Sequence, residues 1–298
     1  MECEQPDRAR QNIRQGDVLA AHPGTSAWSN RWSRFYIVLS ADCDIVNKKL
    51  DTGLVVVPIV GLHTYALDVW LPEQVKKLVA QVETKSLVAA VKKVPEINID
   101  CIRIASMKQE DLDEFLKNEK FEEKKSEIKK IKKLKVALDD LHGLSGELVD
   151  AAITDLHRHV ERYCVSKAVI LNQEFKPENE LLAAFSSLSD SSRVDYWPMI
   201  DLVSLDKEMR EDEPFAFVAA LRRFTTIPLS QIHLDRTGWL EDRAAYWRAC
   251  RLRGIYKSDF LSKFASLFTR VGLDAGRDQE QKRVFEHASR SRKKGDGQ

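Results

Sequence analysis

The chain has 298 residues, 43% of them hydrophobic and 31% charged, with five cysteines and a formal net charge of +1. That apolar content excludes wholesale disorder, and the lack of any run near 18 apolar residues predicts no membrane-spanning helix. The first fifteen residues have no apolar stretch, so no secretory leader is expected, and the odd, unclustered cysteines point to a reducing, cytoplasmic setting rather than a disulfide framework.

The neutral total conceals segregation. Residues 117–135 hold nine lysines against four glutamates, residues 277–298 hold seven basic against four acidic residues, and the remainder carries a net −7. Segregated charge of this kind marks either a solvated helix face or a surface that meets a partner.

The first hundred residues predict short strands. Gly16-Asp17-Val18 opens one, and a polar loop over 22–33 leads to Phe-Tyr-Ile-Val-Leu at 35–39. A turn at Asp51-Thr52-Gly53 precedes Leu-Val-Val-Val-Pro-Ile-Val at 54–60. Residues 66–71, 83–91 and 97–104 supply further strands, and short strands divided by turns suggest a small barrel.

Helices follow. Ser106 with Gln109 three residues on has the form of a capping box, for a helix with Leu112, Phe115 and Leu116 on its apolar side. Ile128, Ile131, Leu134, Leu138 and Leu141 then make a narrow apolar seam on a lysine-rich helix. Gly143 and Gly146 predict its end, and Ser145 the cap of a second helix carrying Leu148, Ala152, Leu156, Val160 and Tyr163. The pair predicts a charged helical arm or antiparallel hairpin. A Ser/Asp-rich stretch at 186–192 marks a boundary. Beyond it, strands are expected at 196–203 and 215–227, although 217–224 suits a helix equally, and a helix is expected at 239–252. Ser258 caps a last helix with Phe260, Phe264, Leu267, Phe268 and Val271 on one side and Gly272 as its stop. The fold class is α+β, divided as 1–105 (barrel), 106–176 (helical arm), 177–276 (mainly helical) and 277–298 (loosely ordered basic tail).

Several chemistries are absent: there is no P-loop, dinucleotide fingerprint or Gly-x-Ser-x-Gly elbow. Cys43, between Asp42 and Asp44, is a candidate nucleophile or metal ligand, but acidic neighbours raise a thiol pKa. The favoured expectation is that Cys43 fills core space while an aspartate caps the turn. His157 and His159 with Cys164 have the residue types of a metal site, yet two positions apart on a helix they face different ways. No metal or other cofactor is expected.

Four elements together carry a resemblance. Gly16-Asp17-Val18 with its polar loop, Ser33-Arg34 leading into the strand that ends at Ser40, Val55-Val56-Val57-Pro58-Ile59, and Asp100-Cys101-Ile102-Arg103 running into a helix resemble MazF/PemK-type toxins over residues 14–118. The resemblance implies an SH3-like β-barrel, usually dimeric, that cuts single-stranded RNA without a metal. It also implies Arg34 as the cation beside the phosphorane, Asp100 as a catalytic carboxylate, and His22 as a catalytic group in the mobile loop. The chain departs from the family at Val60, where a catalytic threonine is usual, at Phe35 in place of proline, and at Asn98 in place of a second arginine. Losing a hydroxyl and a cation removes much of the transition-state stabilisation.

The expectation is therefore a non-catalytic MazF-like regulator of a bacterial stress, toxin–antitoxin or antiphage system, which sequesters another protein from its own locus. That partner would be a toxin, sigma-like factor, protease or sensor; no membrane is involved, and a homodimer through the barrel is an option. An endoribonuclease toxin is the alternative, and a nucleic-acid-binding module using the basic arm is a third. Lys124, Lys125, Lys129, Lys130, Lys132 and Lys133 are the expected contacts to a partner or to RNA.

Overall fold

The structure, a computed structural model, describes residues 3–4, 12–50, 52–95, 97, 101–117, 124–188, 195–199, 217–234 and 245–270. Its strands are β1 (Cys3–Glu4), β2 (Asp17–Ala21), β3 (Phe35–Val38), β4 (Leu54–Gly61), β5 (Tyr196–Met199), β6 (Phe217–Ala220), β7 (Thr225–Ile227), β8 (Ile232–His233) and β9 (Tyr246–Leu252). They form a sheet in the order β1-β9-β2-β3-β4-β6-β5, with β7 added on β4 and β8 on β9. The sheet is open and mixed: β8 runs parallel to β9, while β2, β3, β4 and β9 pair antiparallel.

Register follows from side-chain alternation. Leu19 lies opposite Tyr36 and Ile37 opposite Val57. Leu19, Tyr36, Val38, Leu54, Val56 and Tyr246 share one core. The alternate residues Val18, Ala20, Phe35 and Ile37 are also buried, which is why these strands read as unbroken apolar runs. Gly53, at φ +118°, lets β7 come in beside β4: a Cβ there would strike the Ile227 carbonyl.

The chain divides into two compact units, one of residues 1–59, 191–204 and 219–298 and the other of residues 60–190 and 205–218. Among the described residues, the first contains α1 (Ser26–Ser29) and α2 (Asp42–Val46) between strands and a long helix after β9. The second contains α3 (Leu62–Tyr65), α4 (Leu71–Gln81), α5 (Leu87–Val91), α6 (Cys101–Ser106), α7 (Gln109–Phe115), α8 (Lys125–Glu147), α9 (Leu156–Leu171) and α10 (Pro177–Leu188). The terminal helix of the first unit is α11 (Gly254–Arg270).

Residues 62–91 are helical throughout, because π-helical turns at Ala66–Trp70 and Val82–Ser86 join α3, α4 and α5. The apolar stripe explains the second turn. Leu71, Val75, Leu78, Val82, Leu87 and Val91 are all buried. Their spacing is three or four residues except for one interval of five, 82 to 87, inside which no residue is buried. A π turn accommodates one extra residue, so that interval is absorbed and the stripe stays on one side. In the first turn Ala66, Leu67, Val69 and Trp70 are all buried.

This helix corrects two of the expected barrel strands, at 66–71 and 83–91. Residues 101–104 are also helical, in α6, and the neighbouring residues 98–100 lie outside those described. Ser106 ends α6, with its hydroxyl donating to the Arg103 carbonyl at 3.0 Å, and α7 starts after Lys108 instead. Gly143 does not break α8, and Ser145 lies inside it; α9 starts at Leu156, after a 3-10 turn at Ile153–Asp155. Tertiary packing of Leu141 and Leu144 outweighs the cost of a mid-helix glycine there. Residues 246–252, expected as helix, form β9 because cross-strand pairing to β2 fixes them extended. Strands after residue 190 return to the sheet begun by β2–β4. Gly272 and residues 277–298 lie outside the described residues.

Candidate partner-binding site

The second unit is organised by α8, which packs against α4, α5, α7 and α9. Its seam residues Ile131, Leu134, Leu138 and Leu141 are buried. Helix α9 lies antiparallel to it, as the bonds between them show: Arg162 reaches back to both Asp140 and Glu147, while Ser166, further along α9, meets Asp140. Trp70, in the first π turn, meets Tyr163 of α9 edge-to-face at 6.2 Å.

Between the solvent sides of α8 and α9 runs an open groove of about 750 Å³. Its floor is apolar, and Val136, Val165 and Val169 remain 54%, 59% and 43% exposed. Five cations line it, Lys129, Lys132, Lys133, Arg158 and Arg162, against the two carboxylates Asp140 and Glu161. Arg162 is fixed by Asp140 at 2.8 Å and Glu147 at 2.6 Å, and the Ser166 hydroxyl donates to the second Asp140 oxygen at 2.8 Å. Hydrogen bonding from Arg162 holds the Glu147 carboxyl below its ordinary range. Lys132 is bridged to Asp113 of α7 at 2.8 Å, which lowers the Asp113 pKa in the same way. Among the described residues, Lys129 and Lys133 make no ion pair.

Of the six lysines expected to make contacts, Lys129, Lys132 and Lys133 line this groove and Lys124, Lys125 and Lys130 do not. Arg158, Arg162 and the three valines escaped the sequence analysis. The available signal was spacing: the steps 129, 133, 136, 140 and 158, 162, 165, 169 are the same, and each places an exposed valine within a charged face.

The residues implied by the toxin resemblance are placed differently. His22 and Arg34 stand at the same end of the β2–β3 pair, where the Ala21 amide donates to the Arg34 carbonyl at 2.7 Å. Their side chains serve their own loop. Arg34 Nε donates to the Trp28 carbonyl at 2.9 Å and its guanidinium lies 5.0 Å from that indole's centre. His22 Nδ1 sits 2.5 Å from the Pro23 carbonyl oxygen. Asp100 lies outside the described residues. Val60, at the departure from the family pattern, is buried.

The other candidates resolve simply. Cys43 is exposed rather than filling core space, because α2 turns it outward; no aspartate caps that helix, and Asp42 instead accepts from the Gln15 amide at 2.7 Å. His157 is exposed while His159 is buried with Cys164, whose thiol burial pushes up to about 11. Among the described residues, no group of three His, Cys, Asp or Glu side chains could hold a metal ion, and no helix is long and apolar enough to cross a membrane. No family model, curated protein or solved structure matches the chain.

Proposed function

We propose that this is a non-catalytic binding protein that holds another protein through the α8–α9 hairpin. The observation that carries it is the groove: three exposed valines ringed by five cations, on a helix pair that is otherwise well packed. Apolar surface held open between charged rims is the usual form of a protein-recognition site. The wider setting is the one the resemblance implies: a diverged MazF/PemK-like N-terminal region, its strands in an open sheet, in a cytoplasmic bacterial stress, toxin–antitoxin or antiphage system, with the partner drawn from the same locus. Val60 in place of a catalytic threonine supports a scaffold that has given up cleavage.

The juxtaposition of His22 and Arg34 favours one other reading, a metal-independent endoribonuclease. Incubating purified full chain with single-stranded RNA, without divalent ions, separates the two. The binding reading expects intact RNA after hours. Cleavage by the wild type that Arg34→Ala abolishes would overturn it.

A further inference from the structure

We propose that the α8–α9 groove receives one amphipathic helix with an acidic face, as the third helix of a three-helix bundle. This rests on the binding reading above and names the chemistry of the occupant. The α8 rim runs Lys129, Lys133, Val136, Asp140 and the α9 rim Arg158, Arg162, Val165, Val169. Both advance by four, three and four residues, the 3.5-residue repeat along which helices supercoil. Two such seams side by side form the holes that receive the knobs of a third helix. Eleven residue steps at about 1.5 Å each give a slot of about 16 Å, or three helical turns.

Charge selects the occupant. Cations stand at both ends of the valine floor, Lys129 and Lys133 at one and Arg158 at the other. Asp140 is already taken by Arg162 and Ser166, which leaves Glu161 as the one further carboxylate in the groove lining against Lys129, Lys133 and Arg158. Among the described residues, the ion pair of Arg158 is an exposed contact to Asp155 at 3.6 Å. A helix with apolar residues at i, i+4 and i+7 and glutamates flanking them satisfies both floor and rim. A second copy of this chain would instead bring five cations and two carboxylates against the same set, which opposes pairing through this face.

Fluorescence anisotropy on the full chain tests this with three labelled peptides of about 18 residues. One carries leucines at that spacing with flanking glutamates, one replaces every glutamate by lysine, and one scrambles the first. The glutamate peptide should bind at least about tenfold more tightly than either control, and weaken as salt rises from about 0.05 to about 0.5 M. Val165→Asp, at an exposed position and with its fold checked by circular dichroism, should weaken it about tenfold. Lys129→Glu with Lys133→Glu should reverse the preference towards the lysine peptide. Equal binding of the scrambled peptide, indifference to the charge reversal, or self-association that Val165→Asp removes would each overturn the proposal. The native partner separates this failure from that of the binding reading. Release by Val165→Asp but not by charge reversal sinks the acidic helix alone, whereas retention by both variants sinks the hairpin as a binding site.

Discussion

Asp17 is fully buried on β2, and its charge is tolerated because it is surrounded. Arg251 donates to it from Nε at 2.5 Å and from Nη2 at 3.1 Å, the Arg14 amide donates at 2.8 Å, and Arg248 stands 3.9 Å away. Burial pushes the Asp17 carboxyl upward and the Arg251 hydrogen bond opposes that shift. Removing the acid takes away the carboxylate that accepts both Arg251 bonds and faces Arg248, so Asp17→Asn should cost roughly 3–5 kcal/mol in a urea unfolding series. A second buried group makes stability depend on pH. His159 is buried on α9 near Arg158, Arg162 and Glu147, and burial lowers its pKa below the ordinary 6.5. The unfolded chain therefore takes up a proton that the native state resists, and the stability present above about pH 6.5 is lost as pH falls through that value. Urea midpoints should drop between about pH 7.5 and 5.5 in the wild type, and drop less in His159→Gln. An equal drop in both would remove His159 from the account.

At the scale of elements, the helix over residues 62–91 makes the sharpest claim, because its second π turn follows from a five-residue interval in the apolar stripe. Deleting exposed Thr84 from the second π turn leaves a four-residue interval that an ordinary α turn accommodates. That variant should fold, at a cost of about 1 kcal/mol or less. Deleting exposed Lys77, between Val75 and Leu78, instead rotates everything beyond it by about 100° and drags Leu78 and Val82 out of the core. That variant should lose its cooperative thermal transition. The same interval explains why 83–91 was illegible as helix, since no residue of 83–86 is buried and a 3.6-residue template fails there. Through the first turn Leu62, Tyr65, Ala66, Val69 and Trp70 keep helical spacing, yet the short apolar run at 66–71 still looks like a strand. Where nothing interrupts the period, as in Ile131, Leu134, Leu138 and Leu141, the helix was plain from the residues. Strands β2, β3 and β4 were equally legible, being β-branched runs bounded by turns. Strand β9 was not, since Tyr246–Leu252 becomes extended through pairing with β2, more than 200 residues earlier in the chain. At the site, the lysines of α8 announced themselves by composition. Arg158, Arg162, Val165 and Val169 repeat the α8 spacing and the sequence predicts a hairpin, but which faces of α8 and α9 meet is set by their packing and is not contained in local spacing.

For the molecule as a whole, a net charge of +1 describes almost nothing about its surface. Lysines concentrate on α8, and five cations against two carboxylates border a strip of exposed valine in the second unit. A protein with this distribution is suited to select one oppositely charged partner, since steering and register come from the rim and adhesion from the floor. The loop between β2 and β3, with Arg34 bonded to the Trp28 carbonyl, belongs to the other unit. Affinity isolation of the tagged full chain from its native host, comparing wild type, Arg34→Ala and Val165→Asp, tests the central claim most directly. The account predicts one protein recovered in roughly equal amount with the wild type and with Arg34→Ala, and absent from Val165→Asp. A partner that stays on Val165→Asp and leaves Arg34→Ala would contradict it.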